Sequence, residues 1–243
     1  MDMEAFKGKT IEFLFFLVFS IALASMTYRR NAVWLDGLTL WTSVLERSPG
    51  KWRPYDKLGV ALYRRGEVEK ALNLFETALK LKPDNYELHN NIGLAYQTLG
   101  MTEKAMGEYM LALEKAPESA MAYLNIGTVY LNAGDFPSAA GWFLKAVEKD
   151  PDDVAALVNA GFAYGDMEQY DKAIGLHRRA LAINPYDINA HFGLGLAYEG
   201  LGRVSEAAFH WGEYLRLAPE DGRWRAEAQR HLKRLGGKTP PLP

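Results

Sequence analysis

Three asparagines are spaced so that their side chains could bind another polypeptide. Asn91, Asn125 and Asn159 stand 34 residues apart. A side-chain amide has both a hydrogen-bond donor and an acceptor, so it can pair with a peptide bond of an extended ligand of any sequence. If the fold repeats with the same period, the three amides form a ladder along one surface. The chemistry that this spacing predicts is peptide recognition.

A fixed period runs through most of the chain. Prolines recur every 34 residues, as Pro49, Pro83, Pro117, Pro151, Pro185 and Pro219. The intervals between them begin at Trp52, Tyr86, Ala120, Val154 and Ile188, and each has glycine at its eighth position and alanine at its twentieth. Small residues let two helices approach closely, and a ring at the twenty-fourth position fills the remaining space. The period predicts a stack of two-helix repeats.

The same period predicts where helices begin and end. The residues two places after the prolines are expected to cap the next helix; they are Asn85, Ser119, Asp153, Asp187 and Asp221. Glycines 66, 100, 134 and 202 are expected to end the first helices in a left-handed conformation. The fourth repeat has Glu168 at this place, so we expect its turn to be remodelled around Gly165.

The repeated residues resemble the signature of the tetratricopeptide repeat family. In the third repeat the matching positions are Tyr123, Ile126, Gly127, Tyr130, Ala139, Phe143, Ala146 and Pro151. The resemblance covers Trp52 to Pro219 and implies an all-α solenoid, a right-handed superhelix of helix-turn-helix repeats. The implied repeats are 52–85, 86–119, 120–153, 154–187 and 188–221, with a degenerate half repeat at 29–51 and a basic capping helix and tail at 222–243.

The resemblance also implies a binding groove. In such stacks the first helix of each repeat lines the concave wall, where the sixth position is Lys57, Asn91, Asn125, Asn159 and Gly193. The ninth position is mostly apolar, which argues against the asparagine-based carboxylate clamp of some family members. We expect a peptide to contact Lys57, the three asparagines and the apolar residues Leu124, Val158, Phe162 and Phe192.

Motifs for catalysis are missing from the sequence. There is no cysteine, and no His-Glu-x-x-His, glycine-rich phosphate loop, Gly-x-Ser-x-Gly or EF-hand spacing. His89, His177 and His191 fall where tetratricopeptide repeats pack large side chains, so we expect them in the core; His210 and His231 are isolated. We therefore expect no enzyme activity, no metal site and no cofactor.

An apolar segment precedes the repeats. Residues 13–26 are apolar apart from two serines, and they are flanked by Lys7, Lys9, Arg29 and Arg30. Extended to Tyr28, the run is just under the length that a spanning helix needs. We interpret residues 1–28 as a single-pass membrane anchor that contacts the bilayer through residues 11–28. A cleaved secretory signal and a buried soluble helix are the alternatives.

Residues 28–59 resemble the junction of membrane glycosyltransferase-like proteins of the O-mannosyltransferase type. In those proteins a last spanning helix runs into an arginine-asparagine-x-x-tryptophan segment, as in Arg30 to Trp34, and then into tetratricopeptide repeats. The resemblance implies that the repeats lie on the extracytoplasmic side. The positive charges around the anchor favour the cytoplasmic side by one residue, too small a difference to decide.

The C-terminal tail is basic. Six arginines and lysines follow Gly222, against the single acid Glu227. Trp224, Ala228 and Leu232 are spaced to face the last repeat, which predicts a capping helix. Attraction to anionic phospholipid is the alternative, and nucleic acid is not an expected partner because the charges lack neighbouring exposed aromatic residues.

Together these features predict a membrane-anchored scaffold without catalytic activity that binds a protein or peptide partner in a concave groove. Two alternatives stay open. The chain could be the protein-binding accessory subunit of a separate membrane glycosyltransferase. It could also be a structural scaffold that self-associates end to end through its terminal helices.

Overall fold

The computed structural model describes residues 37–222 and 224–236. These residues form twelve helices and no strand. The chain divides into two compact units, Met1–Asp84 and Asn85–Pro243. The predicted membrane anchor, residues 1–28, lies outside the described residues. In the described part of the chain no helix combines the length and the apolar character that crossing a bilayer requires.

The first unit has three helices within residues 37–84: α1 (Gly37–Arg47), α2 (Trp52–Arg64) and α3 (Val68–Leu81). Helix α1 packs against α2, and α2 packs against α3. The ring of Phe75 lies directly over Gly59, where an added Cβ would come within 2.6 Å of a ring carbon. Glycine therefore sets the close approach of α2 and α3, as the sequence predicts.

The second unit has four helix pairs and a final single helix in the ranges 85–222 and 224–236. The pairs are α4 (Tyr86–Thr98) with α5 (Thr102–Lys115), α6 (Ala120–Asn132) with α7 (Phe136–Lys149), α8 (Val154–Asp166) with α9 (Tyr170–Ile183), and α10 (Ile188–Gly200) with α11 (Val204–Leu217); α12 (Arg225–Arg234) follows. The helices of each pair are in contact, and each pair contacts the next. The predicted helix-turn-helix repeat is confirmed.

The core of the second unit is a series of neighbouring clusters. One surrounds Tyr109 and Ile126, the next Phe143 and Leu157, and the last Trp211. Each cluster joins helices that are close in sequence, so the contacts that stabilise the unit are local.

The structure confirms some of the predicted helix caps. Side chains of Asn85, Asp153 and Asp187 accept hydrogen bonds from the first turns of α4, α8 and α10, at 3.1, 3.1 and 2.8 Å. Ser119 makes no side-chain cap bond at the start of α6. Asp221 was predicted as a cap and is not one, because α12 begins only at Arg225, after Trp224. A proline period predicts a helix start only where the repeat itself continues.

The turn between α8 and α9 contradicts the predicted remodelling. Glu168 itself takes the left-handed conformation, with φ of 58°, as Gly134 does with φ of 77°. The hydrogen bonds also match, since Gln169 N donates to Tyr164 O at 2.9 Å and Asp135 N donates to Tyr130 O at 3.0 Å. The repeat thus imposes the backbone on an unfavourable residue, at a cost of about 1 kcal/mol.

Helix α12 covers the last repeat, as the sequence predicts. Ala228 is fully buried, and Leu232 and Leu235 pack on the cluster around Trp211. His231 Nδ1 lies 2.7 Å from Glu199 Oε2, and Arg234 also bonds the Glu199 carboxylate. Burial alone would raise the pKa of Glu199, but the hydrogen bonds and charges of Arg234 and His231 together hold the pKa below its ordinary value.

Candidate functional site

The first helices of the second unit form one continuous surface. Helix α4 contacts α6, α6 contacts α8, and α8 contacts α10. We call these four helices the first-helix wall. The caps of α4, α8 and α10 and the packing of small residues against the second helices fix which faces stay open. All predicted contact residues except Lys57 lie on this wall.

Lys57 belongs to the first unit. It is exposed, and its Nζ lies 3.1 Å from the carboxylate of its neighbour Asp56, which is 3% exposed. Its charge is therefore partly neutralised by a buried acid.

The asparagines do not form a uniform ladder. Asn125 Nδ2 donates to Asn90 Oδ1 at 3.2 Å, and Asn90 Nδ2 donates to the carbonyl of Tyr86 at 3.2 Å. Asn90 is only 2% exposed. One N–H of Asn125 is therefore already used to join α6 to α4, so the three amides are not equally available; contact of all three with a ligand stays a prediction. Asn91 lies beside this pair and is half-buried.

Asn159 differs from Asn125. Its amide makes no hydrogen bond within the residues that the structure describes, and it is half-buried. The reason lies in the preceding repeat, where the place of Asn90 is taken by the apolar Leu124. Asn159 therefore keeps its full capacity to bind a ligand.

The predicted apolar contacts are more buried than expected. Val158 is 4% exposed, and Leu124 and Phe162 pack on the cluster around Phe143 and Leu157. Phe192 contacts Trp211, Tyr214 and Trp224, with ring centroids 5.1, 5.3 and 6.0 Å away. Val158 is therefore core, and the apolar surface that the wall leaves open includes Leu94, Met121 and Leu196, which are 37%, 55% and 37% exposed.

A cavity of about 210 Å³ lies between α8, α9 and α10. Its lining includes Phe162, Gly165, Asp166, Tyr170, His177, Gly193 and Leu196. No single motif indicates this cavity in the sequence. Its signal is positional: glycine replaces larger residues at the twelfth position of the fourth repeat and the sixth position of the fifth.

His177 forms part of the cavity wall. The ring lies between Gly161 and Gly193, and a Cβ on Gly161 would come within 2.6 Å of Nε2. The side chain is 1% exposed, and Nδ1 has no hydrogen-bond partner in the described structure. Burial lowers the pKa of His177 to about 3, with a smaller contribution from His210. The imidazole is therefore neutral at physiological pH.

Asp166 ends α8 at the rim of the cavity. Its carboxylate is exposed and makes neither a hydrogen bond nor an ion pair with any residue described in the structure. Partial burial of the carboxyl raises its pKa above the ordinary value. Asp166 is thus an accessible negative charge without a counterion in this part of the chain.

The other histidines have structural partners. His89 Nδ1 lies 2.7 Å from Glu108, and His191 Nδ1 lies 3.0 Å from His210 Nδ1. The prediction that His89, His177 and His191 are core residues is confirmed, whereas His210 and His231 are not isolated. Among residues 37–222 and 224–236, no three His, Asp or Glu side chains are grouped to hold a metal ion.

Family models agree with this fold. A model described as a TPR repeat matches residues 59–100 and 166–202. Models described as tetratricopeptide repeats match residues 86–119, 111–154 and 142–175. Because these matches together span residues 59–202, the chain is a tetratricopeptide repeat protein.

Solved structures with the same fold include YrrB, reported as a TPR protein with an unusual peptide-binding site. It is 20% identical, with a TM-score of 0.57 over 80% of this chain and 97% of YrrB. The thermophilic TPR protein TTC0263 of Thermus thermophilus is 24% identical, with a TM-score of 0.63 over 75% of this chain and 99% of its own. MamA is 26% identical, with a TM-score of 0.57 over 65% and 93%. No curated protein sequence matches the chain.

Proposed function

We propose that the protein is a non-catalytic scaffold that binds an extended peptide segment on the first-helix wall of its second unit. The observation that carries this proposal is the amide of Asn159, which is accessible and has no hydrogen-bond partner in the described structure. An amide in this state can donate to a ligand carbonyl and accept from a ligand N–H.

Exposed apolar residues supply the rest of the surface. Leu94, Met121 and Leu196 stand on three different helices of the wall. Exposed apolar groups in a groove are typical of a binding site. An extended peptide would place its backbone along the asparagine row and its side chains against these residues.

The likeness to YrrB, whose peptide-binding site is reported, is consistent with this proposal. At 20% identity it supports the fold, so the argument for binding depends on the residues of this chain.

Peptide selection tests the proposal. Random twelve-residue peptides displayed on phage are selected against the full chain, and the best binder is synthesised for affinity measurements. Asn159→Ala should weaken its binding roughly two- to twelvefold, the equivalent of one hydrogen bond. Leu196→Ala should weaken it by a similar or larger factor because apolar contact is lost.

Met110→Ala is the matched control. Met110 is also exposed, at 48%, but it lies on a second helix, α5. Its replacement should leave the affinity unchanged. If Met110→Ala weakens binding and the wall variants do not, the binding surface lies on the second helices and the proposal is wrong.

We also propose that residues 11–28 anchor the scaffold to a membrane with the repeats on the extracytoplasmic side. This part depends on the apolar sequence of residues 13–26 and on the junction resemblance. Full-length protein should stay with membranes after a carbonate wash, whereas a chain starting at Asn31 should be released. A mature N-terminus at Ser25 would instead indicate a cleaved signal.

A further inference from the structure

The cavity between α8, α9 and α10 lies beside two glycines that stand where other repeats have larger residues; it is open at Gly165, whereas the His177 ring takes the space next to Gly193. Gly165 occupies the twelfth position, which is Tyr63, Gln97, Leu131 and Glu199 in the other repeats. A Cβ on Gly165 would meet no atom within 4 Å, so the space next to it is open. Gly193 occupies the sixth position, where the three preceding repeats have asparagine.

Asp166 gives this cavity a negative rim. Among the five repeats it is the only acid at the thirteenth position, which otherwise holds Arg64, Thr98, Asn132 and Gly200. It is also the last residue of α8, where the helix dipole disfavours a negative charge. Without a counterion in the described structure, Asp166 reduces the stability of the free protein, a feature that binding sites often tolerate.

The remaining wall suits a long, mostly apolar side chain. Phe162 and Tyr170 present aromatic surface to the cavity, and the Tyr170 hydroxyl has no hydrogen-bond partner among the described residues. His177 closes the inner side as a neutral ring, so it does not repel a cation. The volume, about 210 Å³, is below the roughly 300 to 1,000 Å³ of sites for drug-sized ligands and fits one side chain.

We propose that this cavity receives an arginine or lysine side chain of the bound peptide, with its cationic group paired to Asp166 and its methylene stem on Phe162. This inference deepens the peptide-binding function proposed above and rests on it. Arginine fits best, because its planar group can pair with a carboxylate through two hydrogen bonds and can also stack on an aromatic ring.

An uncharged side chain fits this cavity less well than a cationic one. A leucine or phenylalanine side chain would fill the space but would further desolvate the Asp166 carboxylate without pairing it, which is unfavourable. A cation relieves this charge and keeps the apolar contact. Specificity here therefore comes from one carboxylate at a mostly apolar cavity.

Nuclear magnetic resonance of the full ¹⁵N-labelled chain tests the inference. The probes are three acetylated, amidated pentapeptides that carry arginine, norleucine or glutamate between flanking alanine pairs. Glycine amides resonate in a separate region, so Gly161, Gly165 and Gly193 report on the cavity and Asn159 reports on the groove. The arginine peptide should shift all three glycine signals and bind at least about tenfold more tightly than the norleucine peptide, the effect of one charge-assisted hydrogen bond.

Two variants make the test specific. Asp166→Asn keeps the shape of the side chain and should remove the preference for arginine over norleucine. Gly165→Gln introduces the residue that stands at position 97 and should block the cavity for every peptide while keeping the fold. Asp152→Asn, which alters an exposed acid in the loop before α8, is the control and should leave the preference intact.

The outcomes separate the two proposals. If the arginine and norleucine peptides shift Asn159 equally and Asp166→Asn has no effect, the cavity inference is wrong while groove binding stands. The proposed function itself is wrong if no pentapeptide shifts the Asn159 signal and the phage-selected peptide binds the wall variants as tightly as the parent. Tighter binding of the glutamate peptide than of the arginine peptide would show that the cavity does not select a cationic side chain.

Discussion

Two junctions of the first-helix wall share a backbone arrangement but differ in what lies between the helices. In the closed junction, between α4 and α6, Asn90 is buried and holds the amide of Asn125. In the open junction, between α8 and α10, the chain is open beside Gly165, and Asp166 borders the resulting cavity; Gly193 instead makes room for the His177 ring. One repeat geometry thus supports either a closed, hydrogen-bonded wall or an open site. The choice is made by side chains at the fifth, sixth, twelfth and thirteenth positions.

The largest effect at the open junction should come from added bulk against the His177 ring. A Cβ on Gly193 would overlap ring atoms of His177, so Gly193→Ala should lower the free energy of unfolding by about 3 kcal/mol, the upper end for overpacking. Urea unfolding measures the loss. Gly165→Ala is the control and should stabilise by about 0.5 to 1 kcal/mol, because its Cβ meets open space and alanine favours helix.

Overlap with the ring can be separated from a general effect on α10. His177→Ala introduced together with Gly193→Ala should restore part of the lost stability relative to the sum of the single changes. Strict additivity of the two single effects would mean that Gly193 matters for another reason.

The second-largest effect should be a loss of unfolding free energy at acid pH, caused by histidines at and near the open junction. The folded chain holds the pKa of His177 at about 3 and of His210 at about 4, against an ordinary value of 6.5. The unfolded chain therefore binds protons first, and stability is full above pH 6.5 and falls as the pH drops toward these folded values. From pH 6.5 to 5, His177 alone should account for a loss of about 2 kcal/mol.

His177→Phe is the variant that isolates this effect. Phenylalanine stands at the same repeat position as Phe75 and Phe143, so it should fit while removing the titrating group. Its unfolding free energy should depend less on pH between 6.5 and 5. An unchanged slope would place the pH dependence on His191 and His210 instead.

The closed junction should respond to a different change. Asn90→Ala removes two hydrogen bonds and leaves the Asn125 amide without its partner, so it should cost about 1 to 2 kcal/mol. Asn159→Ala, at an amide without a bond in the described structure, should change stability by less than about 0.5 kcal/mol. Thermal unfolding of the two variants, measured side by side, decides whether the two asparagines have these distinct roles.

The smallest effect concerns the turn beside the open junction. Glu168→Gly should raise the unfolding free energy by about 1 kcal/mol, because glycine adopts the observed φ of 58° without strain. Gly134→Ala should lower it by a similar amount in the corresponding turn, where φ is 77°. Equal stabilities of Glu168→Gly and the parent would show that Glu168 makes a compensating contact.

The periodic features were predictable from the sequence, because each depends on backbone geometry that recurs every 34 residues. The contact of Gly59 with Phe75 and the cap at Asp153 are examples. The exceptions are not periodic. The fifth position is buried as Asp56, Asn90 and Val158 alike, but only Asn90 is shown to hold the asparagine of the next repeat, because the residue type there differs between repeats.

The candidate site was predictable only in outline. Asn159 and Phe162 could be placed on the wall, but the cavity requires Gly165, Gly193 and His177 from three different helices to meet. Asp166 does carry a signal in the sequence, because it is the one acid at the thirteenth position of the five repeats.

Helix α12 has a consequence for assembly. Ala228 is fully buried on the last repeat, and His231 and Arg234 both bond Glu199. A second copy that extended the stack from this end would have to displace these contacts before it formed its own. These contacts disfavour growth from the C-terminal face, so we expect that removing residues 222–243 makes the molecule polymerise or aggregate through that face.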